Sequence, residues 1–462
     1  MIDINQKNKI KLKDKKVIVI GLGMSGTEAA KLASHLGAKV YASDIGTDKK
    51  THYNAMSLMQ NHHIPVETGI HSERIYDADL WIISPGIPKD SKIILKAQSK
   101  NIPIVGEIEF ASWFTKAKII AITGSNGKTT TSNLLYEMVR NHKKNTIIAG
   151  NMGIPFSERV LNELKKPKNN IIYILEISSF QMEFIKHFSP SIVIYTNITP
   201  DHLDRHKSME EYINMKMMAV KNLKPDGFIV YNSDDSRLSQ SISGFSKQLK
   251  PYSIIKNDTL FFIKKNLIFG PSKKLVIAKE DLSLSGKHNL YNFLAAATTS
   301  VLMKIPINHI IKAMKEFNGV EHRLEYVNQI NGVEFINDSK ATNINSVIVA
   351  IEAFQKPIVL ILGGYNKGAN FRLLLPHIKS NNVKSIISYG DAGEHINTVL
   401  GDAVRSVLVS DLNSAVKRAL SEATPGDIVL LSPGCASYDQ FENFEERGNF
   451  FKECIKKVEL PC

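Results

Sequence analysis

Residues 118–139 constrain this chain more than any other stretch. The apolar run Lys118-Ile-Ile-Ala-Ile122 leads into Thr123-Gly-Ser-Asn-Gly-Lys-Thr-Thr130, and a helix-like segment, Ser132 to Val139, follows. This is the layout of a buried strand, a phosphate-binding loop and a helix N-terminus. Glycines let backbone N–H groups close around phosphate oxygens, and the helix dipole adds positive potential. Gly124, Ser125, Asn126, Gly127, Lys128, Thr129 and Thr130 are the candidate nucleotide contacts. Lys128 would reach the terminal phosphates and the Thr129 hydroxyl would ligate Mg²⁺. Position 122 is Ile where the general P-loop pattern has its first glycine.

The rest of the chain reads as α/β units in series. Lys16-Val-Ile-Val-Ile20 precedes Gly21-Leu-Gly23-Met-Ser-Gly26, a helical pattern from Thr27 to Leu36, and a strand ending at Asp44. That is the dinucleotide fingerprint, acidic residue included, and it suits an NAD enzyme or any ligand that rests a pyrophosphate on a helix N-terminus. Further strands are predicted at 80–83, 102–105, 171–175 and 192–195, then at 333–336, 358–362, 385–388 and 428–431. Residues 251–285 carry hairpin signals, and helices are predicted over 288–304 and 306–317. The expected architecture is three α/β domains: a Rossmann-like domain over 1–115, a P-loop domain over 116–319 and a Rossmann-like domain over 320–462.

Composition narrows the function classes. The chain has 462 residues and a formal net charge of +13, yet its lysines are scattered without an aromatic-interleaved basic segment. Nucleic-acid binding is therefore not expected, and a lysine-rich surface suited to anionic substrates is the better account. Three cysteines point to a reducing compartment. With no run of eighteen apolar residues and no apolar signal-peptide core, a cytoplasmic protein without membrane insertion is expected.

Polar clusters follow the predicted strands. Glu176, in Leu175-Glu-Ile-Ser-Ser-Phe-Gln181, suits Mg²⁺ or else caps the next helix. Thr196-Asn-Ile-Thr-Pro-Asp201-His202-Leu-Asp204-Arg205-His206 suggests a second metal or proton handling. Lys216 sits among Tyr212, Met215, Met217, Met218 and Val220; spacing alone favours a surface salt-bridge lysine, although apolar surroundings would depress its pKa. Asp338–Asn343, Gly363–Gly368 and Ser432–Phe441 each follow a strand, and together they fit a carboxylate ligand held by lysines and backbone amides. Cys435 reads as a buried small hydrophobe.

Taken together, these motifs resemble the Mur ligases, ATP-dependent enzymes that build the peptide of bacterial peptidoglycan, and within them the D-glutamate-adding branch. The resemblance rests on Glu176–Glu183, Asn337–Asn343 and Ser432–Phe441, and spans Gly21 to Gly448. It implies an amide ligase that adds D-glutamate to UDP-N-acetylmuramoyl-L-alanine through an acyl phosphate, with ATP and two Mg²⁺ ions. A monomer is expected. Met24, Ser25, Asp44 and Ile45 would then serve the UDP moiety, which resolves the Gly21–Gly26 ambiguity, and Asn151 and Ser178 would meet the substrate. Thr129, Glu176, His202 and Lys216 become metal ligands, the last as a carbamylated lysine, with Lys128, His202 and Lys216 catalytic. Asn289, Asn292, Arg323 and Asp338 match ATP-contacting positions. Lys340, Thr342, Lys367, Ser437 and Phe444 resemble a D-glutamate pocket. Asn370 departs from the Asp of many relatives, which touches only a local helix start. A related ligase such as a folylpolyglutamate synthase would lack the Ser432–Phe441 motif, and a nicotinamide dehydrogenase would leave Lys128 unexplained.

Overall fold

The computed structural model describes residues 2–4, 10–245, 248–284, 286–366, 368–380 and 382–459. It divides into two compact units, Met1–Asp281 with Tyr291–Lys315, and Leu282–Leu290 with Glu316–Cys462. Among the described residues no helix is long and apolar enough to cross a membrane.

The first unit holds two parallel sheets. In the first, β1 (Lys16–Ile20), β2 (Lys39–Asp44), β3 (Val66–Thr68), β4 (Leu80–Ile83) and β5 (Ile104–Gly106) lie in the order β3-β2-β1-β4-β5. In the second, β6 (Lys118–Thr123), β7 (Thr146–Gly150), β8 (Ile172–Glu176), β9 (Ile192–Tyr195), β10 (Phe228–Asn232) and β11 (Leu249–Tyr252) lie in the order β11-β10-β9-β6-β8-β7. The central strands are apolar throughout because helices cover both faces of a parallel sheet; Ile120, Ile122, Ile174 and Ile194 are fully buried. Each such side chain stabilises the fold by about 1.5–3 kcal/mol relative to exposure.

Chain order reverses at β1/β4 in the first sheet and beside β6 in the second, and such switch points open a crevice at the carboxyl ends of the strands. The expected hairpins appear as an antiparallel trio, β12 (Phe262–Lys264), β13 (Leu267–Phe269) and β14 (Leu275–Ala278).

The helix Glu107–Ser112, wholly buried, follows β5 into the second sheet. The Glu109 carboxylate accepts from Trp113 Nε1 (2.7 Å) and from the backbone N–H groups of Lys186 (3.0 Å), His187 (2.8 Å) and Phe188 (2.8 Å). Four donors offset the desolvation of a buried carboxylate.

The second unit carries β15 (Glu325–Ile330), β16 (Val333–Asn337), β17 (Ile358–Gly363), β18 (Val383–Tyr389), β19 (Ser406–Leu408) and β20 (Ile428–Gly434) in the order β15-β16-β20-β17-β18-β19. The β15–β16 pair is antiparallel, and the other pairs of this sheet are parallel. The helix predicted over 288–304 spans Lys287–Leu302, and the next spans Ile307–Glu316.

Candidate active site

The phosphate loop occupies the crevice beside β6. Ile122, the residue that breaks the general pattern, is a fully buried position of β6, whose strand runs to Thr123; the loop proper is only Gly124–Gly127. Gly124 has φ 141°, and a Cβ there would come within 2.0 Å of Thr196 Oγ1. Gly127 has φ 84° and begins the helix Lys128–Arg140, where a Cβ would lie 2.5 Å from Asn292 Oδ1. Asn197 braces the loop: its Oδ1 accepts from Asn126 N (2.9 Å), its carbonyl accepts from Ser125 N (2.9 Å), and its Nδ2 donates to Asn126 O (2.9 Å). Thr196 Oγ1 donates to the same carbonyl at 2.6 Å. These two residues stand in the polar cluster read from the sequence as metal or proton chemistry, but what they do here is hold the loop.

Five functional side chains gather on or beside this loop. Lys128 Nζ donates to Gly124 O (2.9 Å) and Ser125 O (2.7 Å). Thr129 Oγ1 donates to Glu176 Oε2 at 2.7 Å, and Asn151 Nδ2 to Glu176 Oε1 at 3.2 Å. Lys216 is not the surface lysine that its spacing favoured. It is 2% exposed, its Nζ donates to Gly124 O at 2.8 Å, and it lies over the Tyr212 ring. Burial, reinforced by the Lys128 cation, holds its amine well below the usual lysine range, with Asp201 and Glu176 opposing. The helix Met209–Met217 keeps Glu210 and Asn214 exposed, and Lys216, two residues past Asn214, falls on the opposite face.

His202, at φ 53°, packs edge-on to Phe180 (4.8 Å between centroids) and lies 3.6 Å from Asp201 Oδ2. Ser178 is engaged in its own turn, its N–H and hydroxyl both donating to Gln181 Oε1. Asn292 belongs to the first unit and accepts from Thr131 Oγ1 at 3.2 Å.

Among the described residues no three His, Cys, Asp or Glu side chains gather tightly enough to cage a metal ion by themselves. That donor set still fits Mg²⁺, which takes one or two carboxylates plus hydroxyl, water and phosphate oxygens rather than an all-protein cage. Glu176 and Thr129, in mutual contact at the mouth of the loop, are such a pair.

A second crevice lies at the β1/β4 switch point. Gly21 (φ 91°) and Gly26 close the turn, and a Cβ on Gly26 would meet Gly21 O at 1.9 Å. Met24, Ser25, Asp44 and Ile45, all four expected at the UDP moiety, line one cavity of about 650 Å³ with His71 and Ser84–Ile87. The Asp44 carboxylate accepts from Leu22 N (2.5 Å) and Gly46 N (2.7 Å), so it organises the turn. His71 was not singled out in the sequence; Ser43 Oγ, 2.7 Å from its Nδ1, fixes the ring at the cavity edge.

In the second unit, Asp338 follows β16 and is buried, accepting from Ser432 Oγ (2.9 Å) and Leu324 N (3.2 Å) with Arg323 Nη1 at 3.8 Å. Burial pushes its carboxyl up to about 6 against the pull of Arg323. Lys340 Nζ lies over the Phe444 ring, and Ser437 is buried. Thr342 stands two residues beyond Lys340, at the start of the turn into the helix Ile344–Glu352. Asn289 belongs to this unit and is 8% exposed. Lys367 lies outside the described residues.

The residue that binds these loops together is Arg447, which sequence reasoning missed. Fully buried, it donates to Ser339 Oγ and O, Ala436 O and Cys435 O. Cys435 is buried and its thiol pushed up to about 12, as its reading as a small hydrophobe requires. Asn370 caps the turn Phe371–Leu374 by accepting from Arg372 N, so Asn serves that helix start.

Three Mur ligase models match along the chain: the MurD-like N-terminal domain at 15–106, the middle domain at 122–300 and the glutamate ligase domain at 322–435. The UDP-N-acetylmuramoylalanine–D-glutamate ligase of Thermoanaerobacter pseudethanolicus is 40% identical over 97% of this chain and 100% of its own length. The like-named protein of Koribacter versatilis is 37% identical, covering 97% and 98%. The chain belongs to the Mur ligase family. Solved structures share the fold at low identity. The UDP-N-acetylmuramate–alanine ligase of Thermotoga maritima aligns with TM-score 0.62 at 18% identity, over 96% of this chain and 100% of that one. The MurF ligase of the same organism, solved with ADP, aligns with TM-score 0.59 at 15% identity, over 97% and 96%.

Proposed function

We propose that this Mur ligase is a cytoplasmic, ATP-dependent amide ligase joining D-glutamate to UDP-N-acetylmuramoyl-L-alanine through an acyl phosphate. The observation that carries the reading is the buried Lys216 amine on the phosphate loop beside Lys128 and Glu176, in a chain whose full-length relatives bear that activity in their names. Three domains, divided near residues 115 and 319, would hold the UDP-sugar, ATP and D-glutamate in turn.

ATP would phosphorylate the L-alanyl carboxylate, releasing ADP. The D-glutamate amine would then attack the acyl carbon, and the tetrahedral adduct would lose the amine proton and expel phosphate to leave the amide. Both steps bring anions together, so electrostatic stabilisation dominates. Lys128 supplies a fixed cation at the phosphates, and the N-terminus of the helix Lys128–Arg140 orients them. Thr129 and Glu176 would hold one Mg²⁺, and His202 with Lys216 a second. When bound, the metals neutralise charge on the transferring phosphoryl group. Lys216, whose burial favours the neutral amine, would add CO₂ and lose a proton, and the resulting carbamate would be able to hold a metal where the cation is repelled. Asp338 and Arg323 would meet ATP, and Lys340, Thr342, Lys367, Ser437 and Phe444 the incoming amino acid.

The test is phosphate release from ATP and Mg²⁺ with UDP-N-acetylmuramoyl-L-alanine, comparing D-glutamate with L-glutamate, L-alanine and meso-diaminopimelate. Release should require D-glutamate; release with another acceptor in its place overturns the assignment. Lys216→Ala should lower turnover by about a thousandfold or more, and full activity in that variant would sink the carbamate role.

A further inference from the structure

We infer that Arg205 is a positioning residue that ties the wall of the sugar-nucleotide cavity to the segment carrying His202, an inference that rests on the function proposed above. One edge of its guanidinium donates to three consecutive carbonyls after β4: Nη1 to Gly86 O (3.1 Å), and Nη2 to Ile87 O (2.9 Å) and, at the limit, Pro85 O (3.5 Å). All three residues line the cavity that Met24 and Ser25 share. The other edge grips Glu183, with Nε to Oε1 at 3.2 Å and Nη2 to Oε2 at 2.8 Å. The Phe180 ring, which also seats His202, lies 5.1 Å beneath the guanidinium.

This is not an ordinary surface ion pair. Arg205 is 16% exposed and Glu183 only 2%, so their pair forms largely out of water, where losing one partner is costly, while the bond to Gly86 O lies at the surface. A planar fork of five donors is needed to meet carbonyls on one side and a carboxylate on the other; an ammonium cannot span them. The neighbouring pair Lys207–Asp90 joins the same two segments but is exposed at 71% and 56%, and contributes little.

Without the fork, the Pro85–Ile87 wall loses its register with the His202 turn. The phosphate loop keeps its own braces at Thr196 and Asn197, so ATP binding is untouched. Loss of Arg205 therefore weakens sugar-nucleotide binding selectively.

Steady-state kinetics of the full chain, with ATP and UDP-N-acetylmuramoyl-L-alanine varied separately, test this in the wild type, Arg205→Ala, Arg205→Lys and Lys207→Ala. Arg205→Ala should raise KM for the sugar nucleotide about tenfold while KM for ATP stays within about twofold. Arg205→Lys should fall between, and Lys207→Ala should match the wild type. Equal rises in both KM values, or no rise, overturn the inference. Titration of UDP alone by calorimetry is the second measurement. Weaker UDP binding to a folded Arg205→Lys supports the tie even if the alanine variant does not fold, and unchanged binding overturns it. A wild type that binds UDP but releases no phosphate with D-glutamate would instead sink the proposed function.

Discussion

The two crevices of the first unit are built alike and equipped differently. Each follows the first strand of a parallel sheet at a switch point, turns on a glycine of positive φ (Gly21 at 91°, Gly124 at 141°) and enters a helix within four residues. At Gly21–Gly26 the turn is organised by a carboxylate, Asp44, and opens beside the exposed side chains of Met24 and Ile45. At Gly124–Thr130 two lysines converge on one carbonyl, Gly124 O, with Glu176 alongside. A glycine turn at a helix N-terminus suits a diphosphate in either place. Phosphoryl transfer needs cations and metal-holding oxygens together at the phosphates. The second crevice places Lys128, Lys216 and Glu176 there, whereas the first has Lys92 on its lining and an Asp44 carboxylate engaged by backbone N–H groups.

The sharpest way to break this comparison is Lys128→Ala, which should lower kcat by about a thousandfold or more and leave UDP binding, measured by calorimetry, unchanged. A loss of UDP affinity would mean that the crevices are not separately equipped. Gly26→Ala should do the reverse. Its Cβ would stand 1.9 Å from Gly21 O, main chain that cannot swing aside, so KM for the sugar nucleotide should rise about tenfold or more with KM for ATP nearly constant. Urea unfolding would register the accompanying loss of stability.

The smallest effect concerns the helix Glu107–Ser112, between the two sheets. Glu107 Oε1 accepts from Ser157 N, while Oε2 is buried with no hydrogen-bond partner among the described residues. Burial pushes this carboxyl up from the ordinary 4.5 to about 7. Because the folded-state value is raised, its stabilising contribution is complete below about pH 4.5 and fades as pH rises through 7. Glu107→Gln should remove that dependence and be more stable than the wild type above pH 7, by about 1–3 kcal/mol. Parallel pH profiles of the urea midpoint would contradict it.

Much of this was legible beforehand because parallel strands covered on both faces read as unbroken apolar runs; β6, β8, β9, β17 and β20 all do. Most strands that escaped notice are short or lie at sheet edges, as β7 and β11 do, but β10 is an internal five-residue strand that was missed as well. β3 and β19 have three residues each, and β15 is partly exposed along its length and pairs only with β16. In the catalytic crevice, glycine spacing led to the loop and the ends of β8 and β9 led to Glu176 and the Thr196–His206 cluster. The four residues expected at the UDP moiety do share one cavity. What escaped was the burial of charge. Lys216, Arg205 and Arg447 are residue types ordinarily found in water, and their environments come from segments distant in sequence.

The sequence alone determined the strand-to-helix turns, because glycine at positive φ and an apolar strand before it are local requirements. It determined the family as well, through motifs whose residue types the chemistry demands. Tertiary structure decided which side chains share a low-dielectric space. A lysine's amine is neutral or charged, and an arginine is a surface cation or an internal tie, according to what folds over it. That depends on the stacking of sheets and helices far apart in the chain, and no local pattern encodes it.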